Sequence, residues 1–239
     1  MIIQEPLRQA EFVKRYKRFF ADVKLDGATI VAHVPNTGSL KTCLFAGSEC
    51  IVSENQNPER KLKATLHFVK TPLGWAGVNT SLPNLLAEEA WREQRIPRWK
   101  GFKFLKREHK ISKESRIDLV LARDEAHFAS GAALHFVEVK NVTYAENSTA
   151  RFPDAVSERG QKHLRELMRL KEAGHTAELL FVVQREGCSA FAPADEIDPQ
   201  YGVLLRQARA AGVRIAALAC EIDPQTGATL SSKALNLAF

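Results

Sequence analysis

A strand predicted for residues 134–140 carries charged side chains at one end of an otherwise apolar run. Successive side chains of a strand point to opposite faces, so Glu138 and Lys140 share a face, roughly 6–7 Å apart. Burying an acid and an amine is costly unless they pair or bind a metal ion. Asp118 lies on a neighbouring predicted strand, residues 116–121. Two carboxylates and a lysine in this arrangement can hold a divalent cation and hydrolyse a phosphodiester.

Each of these groups has an expected role in that hydrolysis. Asp118 and Glu138 are expected to bind Mg²⁺ or Mn²⁺ through carboxylate oxygens, with the backbone carbonyl of Val139 as a neutral ligand. Lys140 is expected to orient or activate the attacking water and to offset negative charge in the transition state. An ion pair between Glu138 and Lys140 is the competing interpretation, because the spacing Glu-x-Lys is short and common.

Two predicted helices flank the acid-bearing strands. The first begins after Ser81 and places Glu89 on its apolar stripe of leucines. Glu89, or Glu108 on a predicted strand over residues 102–111, could supply a third acid. The second helix spans about residues 157–173, where apolar side chains recur at helical spacing before a glycine.

The order helix, strand, Asp-bearing strand, Glu-x-Lys strand and helix resembles that of the PD-(D/E)xK nucleases. Ile117-Asp118 stands where that superfamily has a proline-aspartate pair. In many members the following helix projects a glutamine toward the site, a position that Gln161 resembles, so Gln161 joins the expected catalytic residues. The alternation of helices and strands after residue 81 itself predicts a mixed sheet with helices, an α/β or α+β domain.

The first 80 residues read as about five short strands separated by turns. A long strand is predicted over residues 11–23, and Asp26-Gly27 after it is a hairpin signal. Five strands in this length favour an OB-like barrel, with an SH3-like barrel as the alternative. The expected fold is therefore an OB-like five-stranded β-barrel, residues 1–80, followed by a mixed-sheet α/β nuclease-like domain, residues 81–239.

Two basic stretches favour a nucleic-acid partner. Between Arg92 and Arg116, ten basic residues face three acidic ones. OB-folds often bind single-stranded nucleic acid through a basic groove with aromatic stacking platforms, and a basic run around one tyrosine fits that chemistry. Packing of the tyrosine against a barrel face is the alternative. The barrel residues expected to contact DNA are Lys14, Arg15, Tyr16, Lys17 and Arg18.

The overall composition is typical of a soluble protein. The 239 residues carry a formal net charge of +6, with 45% hydrophobic and 26% charged residues. No apolar run approaches the roughly 20 residues that span a bilayer, and no signal peptide is evident. The four cysteines are scattered without a C-x-x-C pair, as in a reduced cytoplasmic protein. We expect a cytoplasmic protein without a membrane partner; whether it forms a homo-oligomer is left open.

Other catalytic classes lack their motifs. The seven histidines show no zinc-binding spacing with nearby cysteines. No Walker or G-x-G-x-x-G loop is present in the sequence, which argues against nucleotide hydrolysis of that kind. The G-x-S-x-G elbow of an α/β-hydrolase is missing as well.

Four segments carry a closer resemblance: HVPNTG (33–38), SRID (115–118), EVKNVT (138–143) and FPDAVSERGQKHL (152–164). Through them, and over nearly its whole length, the chain resembles the sugar fermentation stimulation protein A family. The resemblance implies an OB-like domain, a nuclease-like domain and DNA binding, with a proposed part in regulating sugar (maltose) metabolism. Asp118, Glu138 and Lys140 match the family's nuclease-type motif. Asn36 and Arg116, which lie in these segments, are further expected DNA-binding residues.

Two functions therefore remain in view. One is a Mg²⁺- or Mn²⁺-dependent deoxyribonuclease acting at Asp118, Glu138 and Lys140. The other is a non-catalytic DNA-binding regulator of transcription that uses the nuclease-like domain as a scaffold, because fold alone does not give activity. Both functions require DNA, double- or single-stranded, as the partner.

Overall fold

The computed structural model describes residues 1–112 and 115–239. Lys113, one of the ten basic residues between Arg92 and Arg116, and Glu114 lie outside the described residues. The helices are α1 (Leu82–Arg92), α2 (Glu125–Ser130), α3 (Glu158–Glu172) and α4 (Pro199–Ala210), with a 3₁₀ turn at Pro97–Trp99. Among the described residues, no helix is both long enough and apolar enough to cross a membrane. The strands are β1 (Leu7–Tyr16), β2 (Phe20–Leu25), β3 (Ala28–His33), β4 (Glu49–Glu54), β5 (Ala64–Thr71), β6 (Gly74–Gly77), β7 (Phe104–Lys110), β8 (Arg116–Ala122), β9 (His135–Val142), β10 (Ala145–Glu146), β11 (Thr149–Phe152), β12 (Thr176–Val183), β13 (Ala190–Pro193), β14 (Arg214–Asp223), β15 (Gly227–Ala234) and β16 (Asn236–Leu237).

Strands β1 to β5 form a closed barrel. Around the circle β1 pairs with β2, β2 with β3, β3 with β5, β5 with β4, and β4 again with β1. Alternate side chains of these strands point inward, and Phe12, Val23 and Leu66 among them are buried. The β2–β3 hairpin turns at Asp26 and Gly27, both with positive φ, as their dipeptide predicts. The expected OB-type barrel is confirmed, and β6 extends it as a partner of β5.

The single long strand predicted over residues 11–23 is wrong, because the chain reverses within it. Strands β1 and β2 form a hairpin whose register joins Tyr16 to Phe20 around a three-residue turn. In this turn Lys17 and Arg18 have φ values of 47° and 62°. Non-glycine residues rarely adopt this left-handed region. Since no Gly, Asn or Pro marks the turn, nothing in the sequence pattern reveals it.

A six-stranded mixed sheet forms the centre of the C-terminal part, in the order β15-β14-β12-β9-β8-β7. The central strands β9, β12 and β14 run parallel, and the chain passes between them through α3 and α4. Leu86 and Ala90 pack α1 on one face, while Leu164 and Leu167 pack α3 on the other. Strand β12 is covered on both faces, which explains its apolar run. The expected mixed sheet with helices is confirmed.

Three smaller features complete this part. The segment 124–131 contains helix α2, whose N-cap Asp124 accepts the amide hydrogen of His127. A second, small sheet has the order β10-β11-β13-β16. Its strands have two to four residues, too few to show a periodicity in the sequence. The C-terminal segment supplies two strands, β15 to the large sheet and β16 to the small one.

Candidate metal centre and the basic clefts beside it

Strands β8 and β9 separate at Asp118. Their antiparallel register ends at Leu119 opposite Val137. Beyond this point the backbone of β8 no longer pairs with β9. Instead, the Asp118 side chain bonds the next free amide of β9, because its Oδ2 accepts a hydrogen bond from the Val139 N–H at 2.8 Å. From α1, Asn84 Nδ2 donates to the other oxygen, Oδ1, at 3.0 Å. Asp118 is therefore fixed at the mouth of a fork between the two strands.

Glu138 stands beside this fork on β9 and is only 2% exposed. Its Oε1 accepts hydrogen bonds from Lys140 Nζ, at 2.5 Å, and from His163 Nδ1 on α3. Its Oε2 is buried and has no hydrogen-bond partner among the described residues. Oε1 therefore pairs with the lysine and the histidine, whereas Oε2 is a hydrogen-bond acceptor that no donor uses.

His163 links the acid to the lysine. Its ring is buried, and Nδ1 lies 3.2 Å from Lys140 Nζ as well as contacting Glu138. On the far side of the ring, Arg159 Nε donates toward Nε2 at 3.5 Å. The assignment that fits these contacts has the proton on Nδ1, directed at Glu138, and a lone pair on Nε2. His163 was not among the residues predicted for the centre, although it lies on the buried stripe of α3, four residues before Leu167.

Burial and neighbouring charges move the two carboxyl pKa values in opposite directions. Burial raises the pKa of Asp118 to about 6; the Glu138 charge adds to this, and the Val139 N–H and Lys140 oppose it. Burial also acts to raise the pKa of Glu138, but Lys140 and His163 more than offset it, so the pKa of Glu138 is lowered. Glu138 is ionised at neutral pH, so ionising Asp118 places a second negative charge beside it in a buried site, which is unfavourable. A bound cation would offset this repulsion and stabilise both carboxylates.

The oxygen atoms at the fork fit a divalent cation of the Mg²⁺ type. Mg²⁺ in proteins is usually held by one or two carboxylates and keeps several waters. The open Glu138 Oε2 and the Asp118 carboxylate are such donors. The N–H and C=O of a strand residue point to the same side, so the Val139 carbonyl faces the fork as its N–H does. The described residues contain no group of three or more Asp, Glu, His and Cys side chains placed for a metal ion, so the carbonyl and waters would complete the shell.

Two side chains expected at the site have other partners. Gln161 Nε2 donates to both carboxylate oxygens of Asp198, at 3.0 and 3.2 Å. Asp198 is the N-cap of α4, so the Gln161 amide joins α3 to α4 in this structure, and the catalytic role expected for Gln161 stays a prediction. Glu89 pairs with the N-terminal amine at 2.8 Å and with Arg95 at 2.6 Å. Both contacts of Glu89 are ion pairs away from the fork, so it is not placed as a third acid beside Asp118 and Glu138.

A serine, a histidine and an asparagine in the barrel form a hydrogen-bonded chain like that of a catalytic triad. The direction of its hydrogen bonds, however, does not suit nucleophilic catalysis. His67 Nε2 lies 2.9 Å from Ser53 Oγ, and Asn79 Nδ2 lies 3.1 Å from His67 Nδ1. Asn79 Oδ1 is already bonded to the Ser81 amide, so Nδ2 must face the ring. The ring proton then sits on Nε2 and points at the serine, which leaves no base for its hydroxyl. Burial lowers the pKa of His67 to about 4, and the trio is structural.

A cleft of about 840 Å³ lies between the barrel and the C-terminal domain. Its barrel side is formed by residues 15–18 and 37–39, and its other side by residues 152–157. Asp154 ties the two sides together, because its Oδ2 accepts hydrogen bonds from Ser39 Oγ at 3.0 Å and from the Leu40 N–H at 3.2 Å.

A smaller cavity of about 200 Å³ continues this cleft. It shares Phe152 and Asp154 with the cleft and reaches Asn141, the residue after Lys140. The cleft and this cavity therefore extend from the barrel to strand β9.

Arg15 and Asn36, two of the expected DNA-binding residues, build the cleft wall. The Arg15 guanidinium donates to the carbonyl oxygens of Asn36 at 2.7 Å, Gly38 at 2.9 Å and Arg18 at 2.7 Å. Asn36 is 5% exposed, donates to the Val78 carbonyl at 2.9 Å and accepts the Gly38 N–H at 2.8 Å. Most of their hydrogen-bonding groups are used within the protein, and the prediction that they contact DNA stays a prediction.

Tyr16 is not an open stacking platform either. Its ring stacks on Phe20 with centroids 5.7 Å apart, and Lys14 Nζ lies 5.9 Å from the ring centre. The Tyr16 hydroxyl donates to Asp22 at 3.0 Å, and Lys14 pairs with the same carboxylate at 3.5 Å. The alternative interpretation, packing against the barrel surface, is the correct one. Lys17 and Arg18 are exposed, and no ion pair joins either side chain to another described residue.

A third basic cavity, of about 720 Å³, lies on the α3 side of the metal centre. Arg116, expected to bind DNA, is exposed there, two residues before Asp118. Glu108 also lines this cavity, at the rim of the centre and not at the fork. This cavity adjoins the metal centre through His163, which contacts Glu138. The basic residues that line the third are Lys110, Arg116, Arg159, Lys162 and His163.

Comparisons with known proteins cover both parts of the chain. The model of the SfsA N-terminal OB domain matches residues 13–78, and that of the sugar fermentation stimulation protein RE domain matches residues 81–226. The sugar fermentation stimulation protein homolog of Bdellovibrio bacteriovorus is 48% identical over 95% of each chain, and that of Teredinibacter turnerae is 49% identical over 93% of this chain and 96% of its own. A solved structure, Pyrococcus furiosus SfsA in complex with Ca²⁺, is 26% identical with a TM-score of 0.87, over 100% of this chain and 98% of that one. The chain belongs to the sugar fermentation stimulation protein family.

Proposed function

We propose that this protein is a DNA-binding, metal-dependent nuclease whose catalytic groups are Asp118, Glu138 and Lys140. The observation that carries the proposal is the state of Glu138. A buried carboxylate oxygen without a partner is costly, and here it stands beside a second carboxylate with a raised pKa. A divalent cation between them would satisfy both.

The cation itself is proposed by analogy and by chemistry. The Pyrococcus furiosus relative was solved in complex with Ca²⁺, an ion that takes oxygen ligands as Mg²⁺ and Mn²⁺ do. Glu138 Oε2, the Asp118 carboxylate and the Val139 carbonyl would hold it. When bound, such a cation stabilises negative charge on a phosphate and makes water a better nucleophile at neutral pH.

Side chains of the protein would position the substrate and stabilise the transition state. Lys140 Nζ, 2.5 Å from Glu138 Oε1, has further N–H donors for a phosphate oxygen or for the attacking water. Because that amine lies close to the fork, it would offset the negative charge that develops in the transition state. His163 holds Glu138 Oε1 from the α3 side, so Oε2 keeps its direction. The basic residues of the third cavity, which adjoins the centre, would bind flanking phosphates.

A non-catalytic DNA-binding function is the second candidate. The observation that favours it is the pairing of Glu138 with Lys140, which already balances the charge of this carboxylate, while His163 donates a hydrogen bond to it. In that case the cluster would stabilise the domain and the basic cavities alone would serve binding. A part in transcription regulation and maltose metabolism, and a cytoplasmic location, are proposed on the family resemblance.

Cleavage assays separate the two candidates. Purified protein is incubated with linear and circular DNA and Mg²⁺ or Mn²⁺, with EDTA as the blank. The wild type should cut, and Glu138→Gln and Lys140→Met should be slower by about 100-fold or more. Glu221→Gln and Lys233→Met, exposed on β14 and β15, are the matched controls and should cut at the wild-type rate. Equal cutting by the wild type and the two site variants would rule out this centre as the source of activity. DNA binding without any cutting would favour the non-catalytic function.

A further inference from the structure

A further cavity, of about 270 Å³, lies at the amino ends of the central parallel strands. His135, Thr176 and Arg214 line it, and they are the first residues of β9, β12 and β14. Glu138 lies three residues further along β9, roughly 10 Å from His135, and its side chain points to the opposite face of the sheet. The cavity shares no lining residue with the three described above, so it is a separate place in the fold.

The side chains around this cavity carry an excess of positive charge. Arg98, Lys171 and Arg214 line it, and none of its lining residues is acidic. One carboxylate contacts this group, that of Glu178, which is fully buried and pairs with Arg98. No ion pair joins Lys171 or Arg214 to another described residue. Three cations against one carboxylate leave two positive charges without a counter-ion.

Hydrogen bonds hold the walls of the cavity in place. Glu178 accepts a hydrogen bond from Arg98 Nε at 3.1 Å, while Arg98 Nη1 has no hydrogen-bond partner among the described residues. The His135 ring lies 2.8 Å from Thr176 Oγ1 and 3.3 Å from Glu178 Oε2, and the Phe102 ring stacks on it with centroids 5.2 Å apart. Arg98 therefore offers unused N–H donors from a fixed position, which lowers the cost of ordering side chains when a ligand binds.

Lys171, at the end of α3, packs against a glycine that follows α4. A Cβ atom on Gly212 would lie 3.0 Å from Lys171 Cε and 3.9 Å from its Nζ. The missing side chain thus makes room for the lysine close to Arg214, two residues further on. Two cations that line the same small cavity repel each other. An anion bound between them would offset that repulsion.

We propose that this cavity binds the phosphate group of a small molecule, through Lys171, Arg214 and Arg98 Nη1. A phosphate dianion matches the two unbalanced charges, and guanidinium and ammonium groups are common donors to its oxygens. The volume lies below the roughly 300–1,000 Å³ of pockets for drug-sized ligands, which favours a compact ligand. A nucleic-acid backbone would need cations repeated along an open path, whereas these three converge on one cavity.

Isothermal titration with inorganic phosphate tests the site, in metal-free buffer at constant ionic strength and without DNA. At about pH 8 phosphate is a dianion, and the wild type should bind it saturably at one site. Acetate, with a single charge, should bind at least about 10-fold more weakly. Phenyl phosphate, titrated in the same way, separates two sources of the group. Tighter binding of phenyl phosphate would assign a phosphate ester as the ligand, and tighter binding of inorganic phosphate would assign the free ion.

Variants locate the binding within the fold. Lys171→Met with Arg214→Met should weaken phosphate binding at least about 10-fold, because even one hydrogen bond to a charged group contributes about that much. Lys171→Arg keeps the charge and the donors and should stay within about 3-fold of the wild type. Arg165→Met with Lys233→Met removes exposed cations that line none of these cavities, and it should leave the affinity unchanged. Thermal unfolding without phosphate checks that each variant is folded.

The inference is overturned if the wild type shows no saturable phosphate binding, if it binds acetate as tightly, or if the Lys171, Arg214 double variant binds phosphate like the wild type. An equal loss in the control pair would also overturn it, since the effect would then come from net charge alone. If the double variant loses affinity for an oligonucleotide while the wild type binds no phosphate, these cations belong to a nucleic-acid surface and the inference fails. The titration contains neither metal nor DNA, so its outcome is independent of the proposed nuclease function.

Discussion

Lys140 Nζ lies 2.5 Å from Glu138 Oε1, while the second oxygen of the same carboxylate has no hydrogen-bond partner among the described residues. The two residues alternate along β9 and share one face, as strand geometry requires. A plain ion pair would leave no reason for a buried, open acceptor next to Asp118. In Glu138, Oε1 is paired with Lys140 and Oε2 has no partner. This free oxygen is what favours a metal site over a purely structural ion pair.

His163 should set the metal affinity through Glu138. His163→Ala removes the donor that holds Oε1, so the carboxylate can turn and Mn²⁺ should bind about 10-fold more weakly or worse. Isothermal titration with Mn²⁺ measures this without any substrate. His127→Ala, which removes an exposed partner of Asp124 on α2, is the control and should leave the affinity unchanged. Equal affinities for His163→Ala and the wild type would show that His163 has no positioning role.

The stability of the cation-free protein should carry the signature of Asp118. Its pKa is raised to about 6 from 3.8, so the folded chain holds this proton more tightly than the unfolded chain does. Between these two values the unfolded state binds fewer protons, and stability must fall as pH rises. Urea unfolding in EDTA should show the wild type losing about 2 kcal/mol relative to Asp118→Asn between pH 4.5 and pH 7. A difference that stays constant over this range would contradict the assigned environment of Asp118.

Asp154 should stabilise the junction of the two domains. Asp154→Ala removes the acceptor of Ser39 Oγ and the Leu40 N–H, and should lower the free energy of unfolding by about 1–2 kcal/mol. Denaturant titration measures the change. Asp195→Ala breaks an exposed pair with Arg206 and should cost about 0.5 kcal/mol. If both variants lose the same small amount, Asp154 is an ordinary surface residue.

Glu178 should be the most sensitive buried acid of the central sheet. It is fully buried, and its oxygens accept hydrogen bonds from Arg98 Nε at 3.1 Å and Trp99 Nε1 at 3.1 Å, with His135 Nε2 at 3.3 Å. Glu178→Ala leaves the partly buried Arg98 guanidinium and the buried Trp99 N–H without their acceptor and should cost about 2–4 kcal/mol. Thermal unfolding checks the loss, and Glu178→Gln, which keeps some of the hydrogen bonds, should fall between. A loss under 1 kcal/mol for the alanine variant would contradict the ion pair's importance.

The same acid gives a second pH signature, of opposite sign to that of Asp118. Burial acts to raise the pKa of Glu178, but His135 and Arg98 more than offset it and hold that pKa at about 2. Its contribution to stability is therefore present above pH 4.5 and is lost as pH falls toward 2. Acid titration of the wild type against Glu178→Gln isolates it.

Local rules explain which parts of the centre could be predicted. Strand alternation alone places Glu138 and Lys140 on one face, and the hairpin dipeptide Asp26-Gly27 marks its turn. The choice between Gln161 and His163 depends on how α3 is rotated about its axis. That rotation is set by packing of its buried stripe, which includes Leu164 and Leu167. His163 lies on this stripe, so its spacing from Leu167 was an available signal.

Other features depend on contacts that no local pattern carries. The reversal at Lys17 and Arg18 uses left-handed angles without glycine, so the long strand predicted there failed. Arg15 looks like a free cation in the sequence, yet carbonyl groups of a loop more than 20 residues away take its donors. Tertiary structure decides in both cases whether a basic residue is available to a phosphate.

A crystal soaked with Mn²⁺ and measured for anomalous scattering tests the central claim most directly. A peak is expected at the β8–β9 fork, about 2.0–2.3 Å from Glu138 Oε2, an Asp118 carboxylate oxygen and the Val139 carbonyl oxygen. The peak should vanish in Glu138→Ala crystals treated in the same way. No peak at the fork under saturating Mn²⁺, or a peak that persists in Glu138→Ala, would contradict the assignment of this site as a metal centre.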